Sequence, residues 1–125
     1  MNSVLHEIKK AHKNSNFSSL PYPNLIAVSK KQSEEKIDLA INCGQKCYGE
    51  NKVQEAQQRW SKRLEMNKNI ELRLIGPLQS NKVKQALNLF DIIETIDREK
   101  LANEIAKNLN NQAKTKSFYI QINTG

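Results

Sequence analysis

Residues Glu71–Phe90, ELRLIGPLQSNKVKQALNLF, read as one complete strand–turn–helix unit. Glu71 to Ile75 is a short run closed by Gly76 and Pro77, a pair that stops regular structure. Beyond the turn, Val83, Ala86, Leu87 and Phe90 fall at i, i+3, i+4 and i+7, the spacing of one helix face. Ser80 stands as a candidate cap for that helix. A strand leading straight into an amphipathic helix is a βα unit, and the fold depends on whether its neighbours repeat it.

They do. Upstream, Leu25 to Ser29 is an apolar run, and Ser33 to Cys43 carries Ile37, Ala40 and Ile41 at helical spacing. Ser33 is placed to cap this helix, Glu34 and Glu35 fall in its first turn, and Gly44 lies just past its end. Lys46 to Gly49 reads as a second strand. Asn51 then opens a helix, with Gln54 as capping-box partner and Val53, Ala56, Trp60 and Leu64 as its buried stripe. Downstream, Asp91 to Ile96 is a fourth strand, and Asp97 caps a helix whose inner face is Leu101, Ile105 and Leu109. Phe118 to Ile122 is a fifth.

Strands alternating with helices predict a parallel sheet with right-handed crossovers. Two architectures have this pattern, an open doubly wound sheet and a closed (β/α)8 barrel. An open sheet binds ligands at one switch point, whereas a barrel uses every strand end. Here polar segments follow nearly every strand: Ser29-Lys30, Gly49-Glu50-Asn51, Gly76 to Lys82, and Asn123-Thr124-Gly125. The pattern favours a barrel mouth. A complete barrel needs about 200 residues or more, so 125 residues supply about five of its eight strands.

The totals fit one domain over 1–125, with 1–20 as an N-terminal helix and linker ahead of Pro21 and Pro23. In that helix Val4, Leu5, Ile8 and Ala11 share a face, and His6 and His12 read as surface residues. No run approaches the roughly 18 apolar residues of a membrane span, and the N-terminus has no secretory pattern. Cys43 and Cys47 are too few for a disulfide framework and lack metal-pair spacing, which suits reduced thiols in the cytoplasm and no metal site. The net charge of +7 comes from lysines interspersed with acids, as in DREK and NEIAK. That distribution reads as a solvated surface, with no nucleic-acid partner, and it suits a small anionic ligand.

Three places can carry chemistry. Strand alternation puts Ile26, Val28 and Lys30 on one face and Leu25, Ala27 and Ser29 on the other. An inward Lys30 at a barrel rim is expected to be partly desolvated, which favours the free amine that attacks aldehydes. Lys31 points the opposite way. Gly49 allows a tight strand exit and Asn51 sits where it reaches either a helix start or a ligand. The loop Gly76 to Lys82 runs into a helix N-terminus, with Gln79, Asn81 and Lys82 at hand for an anion. No zinc, P-loop or dinucleotide motif is present.

The segments IAVSK, GQKCYGENKVQEA, LIGPLQSNKVK, IIETIDREKLA and IQINTG, in this order, closely resemble the pyridoxal phosphate homeostasis protein family (YggS/PROSC type). The resemblance runs from about Leu25 to Gly125. It implies a (β/α)8 barrel like the N-terminal domain of alanine racemase, without that enzyme's second domain. It also implies that Lys30 carries pyridoxal 5'-phosphate as a Schiff base, with Asn51 in the cofactor site. The role implied is non-catalytic control of cofactor supply, by a protein that is monomeric at full length. Arg73 departs from the histidine frequent at that position. The family continues well past the equivalent of Gly125, and its phosphate is held by loops late in the barrel. These 125 residues alone are therefore expected to be poorly stable or to associate. The alternative is a racemase-like or decarboxylating enzyme acting on amino acids, and it lacks a candidate histidine or tyrosine base at a strand end. A basic nucleic-acid-binding module is the third reading, and it lacks a recognition motif.

Overall fold

Five strands pair in parallel and in chain order: β1 (Ala27–Val28), β2 (Cys47–Glu50), β3 (Glu71–Leu74), β4 (Ile92–Ile96) and β5 (Ser117–Ile120). This computed structural model describes residues 2–125. Helix α1 (Asn2–Lys13) precedes the sheet, and α2 (Glu34–Asn42), α3 (Val53–Met66), α4 (Val83–Leu89) and α5 (Glu99–Asn108) occupy the successive crossovers. An order that never reverses has no switch point. It is the winding of a (β/α)8 barrel, here five strands of an incomplete one.

The core explains the winding. On β3, Leu72 and Leu74 are fully buried while Arg73 between them points the other way, a period of two. Their neighbours are Tyr48 from β2, Ile93 from β4, and the inner stripes Val53, Ala56 and Trp60 of α3 and Val83, Ala86 and Leu87 of α4. Leu101 and Ile105 of α5 complete the layer. All crossover helices therefore pack on one face of the sheet, and the opposite face is the concave barrel interior. That interior lies open between the edges β1 and β5, with Val28, Tyr119 and Ile120 exposed.

Sequence periodicity located the elements well and their ends less well. Ser33 caps α2 as expected, its Oγ accepting from the Lys36 N–H at 3.3 Å, and Gly44 follows the helix with φ 92°. Three expected caps do not form. The N-cap of α3 is Lys52, not Asn51, because the Asn51 backbone is already packed against Gly76. Ser80 opens a 3-10 turn (Ser80–Lys82), and α4 starts only at Val83. Asp97 lies before the N-cap Arg98, to which it is paired at 2.8 Å. In α1, Val4 and Leu5 remain exposed, so its apolar face is not part of the core.

Helices α2 and α3 are also joined by a ladder of charge. Arg63 donates to Glu34 at 2.6 Å and to Asp38 at 2.8 Å, and Arg59 donates to Glu34 at 3.2 Å. Hydrogen bonding from Arg63 holds the Glu34 and Asp38 carboxyls below their ordinary values. A carboxylate whose folded pKa is depressed contributes stability above its unfolded value, about 4, and loses it as pH falls through the folded value. Both acids are more than half exposed, so screening limits the gain to at most about 1 kcal/mol. Arg63→Met is accordingly expected to shrink the difference between urea midpoints at pH 7 and pH 3. An unchanged difference would assign the acid sensitivity to other groups.

Candidate functional site

The C-terminal edge of the sheet gathers the sequence-predicted residues. Lys30 is exposed and directly follows Ser29 at the end of β1. Ser29 is buried on the helix side and Val28 is exposed on the opposite face, whereas Lys30 lies in the turn beyond the strand, where alternation no longer sets its direction. The expected desolvation of Lys30 is not found: in the turn after β1 its side chain is exposed. Lys31 takes a positive φ of 58° in the turn that Gln32 closes through its N–H to the Ser29 carbonyl, at 3.2 Å. A lysine in the left-handed region carries backbone strain on the order of 1 kcal/mol.

Asn51 leaves the adjacent strand β2 and is half-buried. It lines a cavity of about 630 Å³, shared with Lys52, Gln54, Gln79 and Lys82. Thus the loops after β2 and β3 converge at Gln79 and Lys82, while Asn81 and Lys30 lie outside the cavity wall. Gly76 makes this convergence possible, since a Cβ there would lie 2.6 Å from Asn51 Cα.

The interior floor carries a charged cluster. Arg73 donates from Nε to Glu71 at 2.7 Å and from Nη1 to Glu94 at 2.8 Å, linking β3 to β4. Burial works against the Arg73 charge, but the hydrogen bonds to Glu94 and Glu71 outweigh it and raise its pKa. Cys47 points its thiol at Glu71 Oε1, 3.3 Å away. Burial, helped by that carboxylate, pushes the thiol up to about 11, so it remains protonated and unreactive at neutral pH.

A second cluster was not anticipated. Glu50, at the end of β2, is fully buried behind the sheet. Its Oε1 accepts from Ser29 Oγ at 2.6 Å, from Arg59 Nη1 at 3.0 Å and from Trp60 Nε1 at 3.1 Å. The sequence signal was an acid closing a strand beside an arginine and a tryptophan one helix later. Alternation places Glu50 on the face of Tyr48, but no local pattern says that both face the core. The two histidines are in α1, where His12 packs on Tyr22 at a ring-centroid distance of 4.4 Å, and the Tyr48 hydroxyl donates to Gln45 O at 3.1 Å. Burial pushes that phenol up to about 12. Among the described residues no helix is long and apolar enough to cross a membrane, and no group of three or more metal-ligating side chains occurs.

No family model matches the chain. Individual relatives do. The pyridoxal phosphate homeostasis protein of Pasteurella multocida is 39% identical over 99 residues, covering 79% of this chain and 42% of that protein. The protein of the same name from Buchnera aphidicola subsp. Schizaphis graminum is 45% identical over 98 residues, covering 78% and 41%. That of Haemophilus influenzae is 33% identical over 123 residues, covering 98% and 52%. Among solved structures, PipY of Synechococcus elongatus with PLP bound superimposes with a TM-score of 0.62 at 38% identity, over 72% of this chain and 42% of that one. The chain thus spans about half the length, or somewhat less, of the relatives it matches. The strand order, the motif-bearing edge and these likenesses agree: the chain is similar to part of the length of the pyridoxal phosphate homeostasis protein family.

Proposed function

We propose that this chain carries the lysine-bearing part of a pyridoxal 5'-phosphate-binding protein that serves homeostasis of the cofactor. Lys30 holds the cofactor covalently as a Schiff base, Asn51 contributes to its site, and no turnover follows. The observation that carries this reading is that Lys30, the last residue of AVSK, is exposed in the turn at the C-terminal end of β1, beside the strand that leads into Asn51.

The residues present suit such a ligand. An exposed primary amine is reachable by an aldehyde, and the neighbouring cavity offers Lys52, Lys82 and Gln79 as donors toward an anion. The bound cofactor would supply an electron-withdrawing ring to whatever amine it holds. The chain's own contribution is to fix the backbone on both sides of Lys30 and to place neither histidine nor tyrosine in the wall of the neighbouring cavity. Neither histidine lies there, and the Tyr48 hydroxyl is committed to Gln45 O. An acid–base partner is what an amino-acid racemase requires, so this edge favours binding over the racemase-like alternative. The relatives' names give homeostasis of pyridoxal phosphate as their role, which agrees with this reading.

The test is chemical trapping. After incubation with pyridoxal phosphate and reduction with borohydride, the adduct is expected to map to the peptide containing Lys30. Lys30→Ala should remove that adduct and leave only scattered labelling of other lysines. Retention of a single dominant adduct in Lys30→Ala would show that another lysine holds the cofactor.

A further inference from the structure

We propose that Glu50 is a positioning residue for Lys30: through Ser29 it fixes the strand end from which the amine is presented. This rests on the reading of Lys30 as the cofactor-bearing lysine.

The residue before Lys30 has no polar atom left free. The Ser29 N–H donates to Gly49 O at 3.1 Å, and its carbonyl accepts from Arg59 Nη1 at 2.9 Å and from the Gln32 N–H at 3.2 Å. Its hydroxyl donates to Glu50 Oε1 at 2.6 Å, a short charge-assisted bond. Glu50 also receives Arg59 and the Trp60 indole, both on α3, so the end of β1 is tied through one carboxylate to β2 and to a helix. β1 itself contributes only two ladder residues, Ala27 and Val28, paired with Tyr48 and Gly49. A strand that short, at an edge, is weakly held by its own pairing. The Glu50 network supplies what the ladder lacks, at the residue adjoining Lys30.

The chemistry of the link argues for position over plain cohesion. Desolvating a carboxylate costs several kcal/mol, and buried ion pairs can often be replaced by apolar packing without loss of stability. Glu50 Oε2 has no partner among the described residues, so the compensation is incomplete. A contact meant only to glue β2 to α3 would be cheaper as an apolar one. A carboxylate that gathers a hydroxyl, a guanidinium and an indole onto a single oxygen sets directions as well as distances. With Ser29 fixed and Lys31 held in the left-handed region, the Lys30 backbone is anchored on both sides while its side chain is exposed.

The experiment compares where the adduct forms. The full chain is incubated with pyridoxal phosphate, reduced, and the ratio of Lys30 to Lys31 labelling read by peptide mapping. Misplacing a reacting group by about 1 Å costs up to about a hundredfold in rate, so Ser29→Ala and Glu50→Leu are each expected to lower the ratio by at least about tenfold. Glu50→Gln keeps an acceptor oxygen for Ser29 and Trp60 and should hold the ratio within about threefold of wild type. Ile105→Ala, in the core on α5, is the control: it loses stability by a cavity and should leave the ratio unchanged. A wild-type ratio preserved in Ser29→Ala overturns the inference and leaves the Lys30 reading intact. So does a ratio that falls equally in Ile105→Ala, or falls as far in Glu50→Gln as in Glu50→Leu. A wild-type adduct that does not map to Lys30 overturns both.

Discussion

Gly76→Ala is expected to destabilise the fold by about 3 kcal/mol or more, with collapse of the edge around Asn51. The reason is contact and not backbone conformation. A Cβ on Gly76 would lie 2.6 Å from Asn51 Cα and 2.8 Å from its carbonyl carbon, far inside van der Waals contact. These are backbone atoms of the loop leaving β2, and they are fixed by the ladder beside them, where Ile75 N–H donates to Glu50 O at 2.9 Å. Gly76 cannot retreat either, because the buried Thr95 hydroxyl donates to its carbonyl at 2.7 Å. Gly49 supplies the comparison. A Cβ there would lie 2.8 Å from Ile75 Cδ1, the far end of a flexible side chain, and 3.1 Å from the Ile26 Cγ2 methyl, both side-chain atoms and not backbone. Gly49→Ala should therefore cost roughly 1 kcal/mol, within the ordinary range for point substitutions. Urea midpoints of the two variants decide the matter, and equal losses would refute the contact argument.

Trp60→Ala should be as damaging, at about 3 to 5 kcal/mol. Trp60 is the largest fully buried side chain, and its ring packs on Tyr48 at a centroid distance of 4.6 Å. Truncation opens a cavity between α3 and β2 and removes the indole donor from the Glu50 carboxylate, whose remaining donors are Ser29 and Arg59. Domains of this size have about 5 to 15 kcal/mol in total, so most of the molecules would unfold under mild denaturant. Trp60→Phe separates the two losses, since it keeps most of the ring volume and loses only the N–H. It should cost about 1 to 3 kcal/mol, the range for depriving a buried polar group of its partner. Equal losses for phenylalanine and alanine would mean that the hydrogen bond, and not the packing, is the larger contribution.

Both substitutions act on the same seam, the join between the loop after β2 and its neighbours, and neither residue's importance was evident from spacing. Gly76 read as a turn glycine and Trp60 as one member of an apolar stripe. The caps show the same limit in a milder form. Asn51 and Asp97 are good N-cap residue types, yet each is drawn into a tertiary contact or an adjacent ion pair, and the helix begins one residue later. Ser33 has no such competitor and caps as its sequence predicts.

The sequence by itself determined the order of strands and helices and the apolar face of each crossover helix. These follow from periods of 2 and 3.6 that any short segment displays without reference to the rest. The choice between Lys30 and Lys31 rested on the same alternation, joined to the family resemblance. Only the tertiary structure decided that the strands lie in unreversed order, with every crossover helix on one face. It alone decided that Lys30 stays in solvent, that Gly76 is pressed against Asn51, and that Glu50 is buried under Ser29. Those facts depend on residues about 20 or more positions apart meeting at one point, and contact at that separation is settled by how the whole sheet packs, not by any local preference.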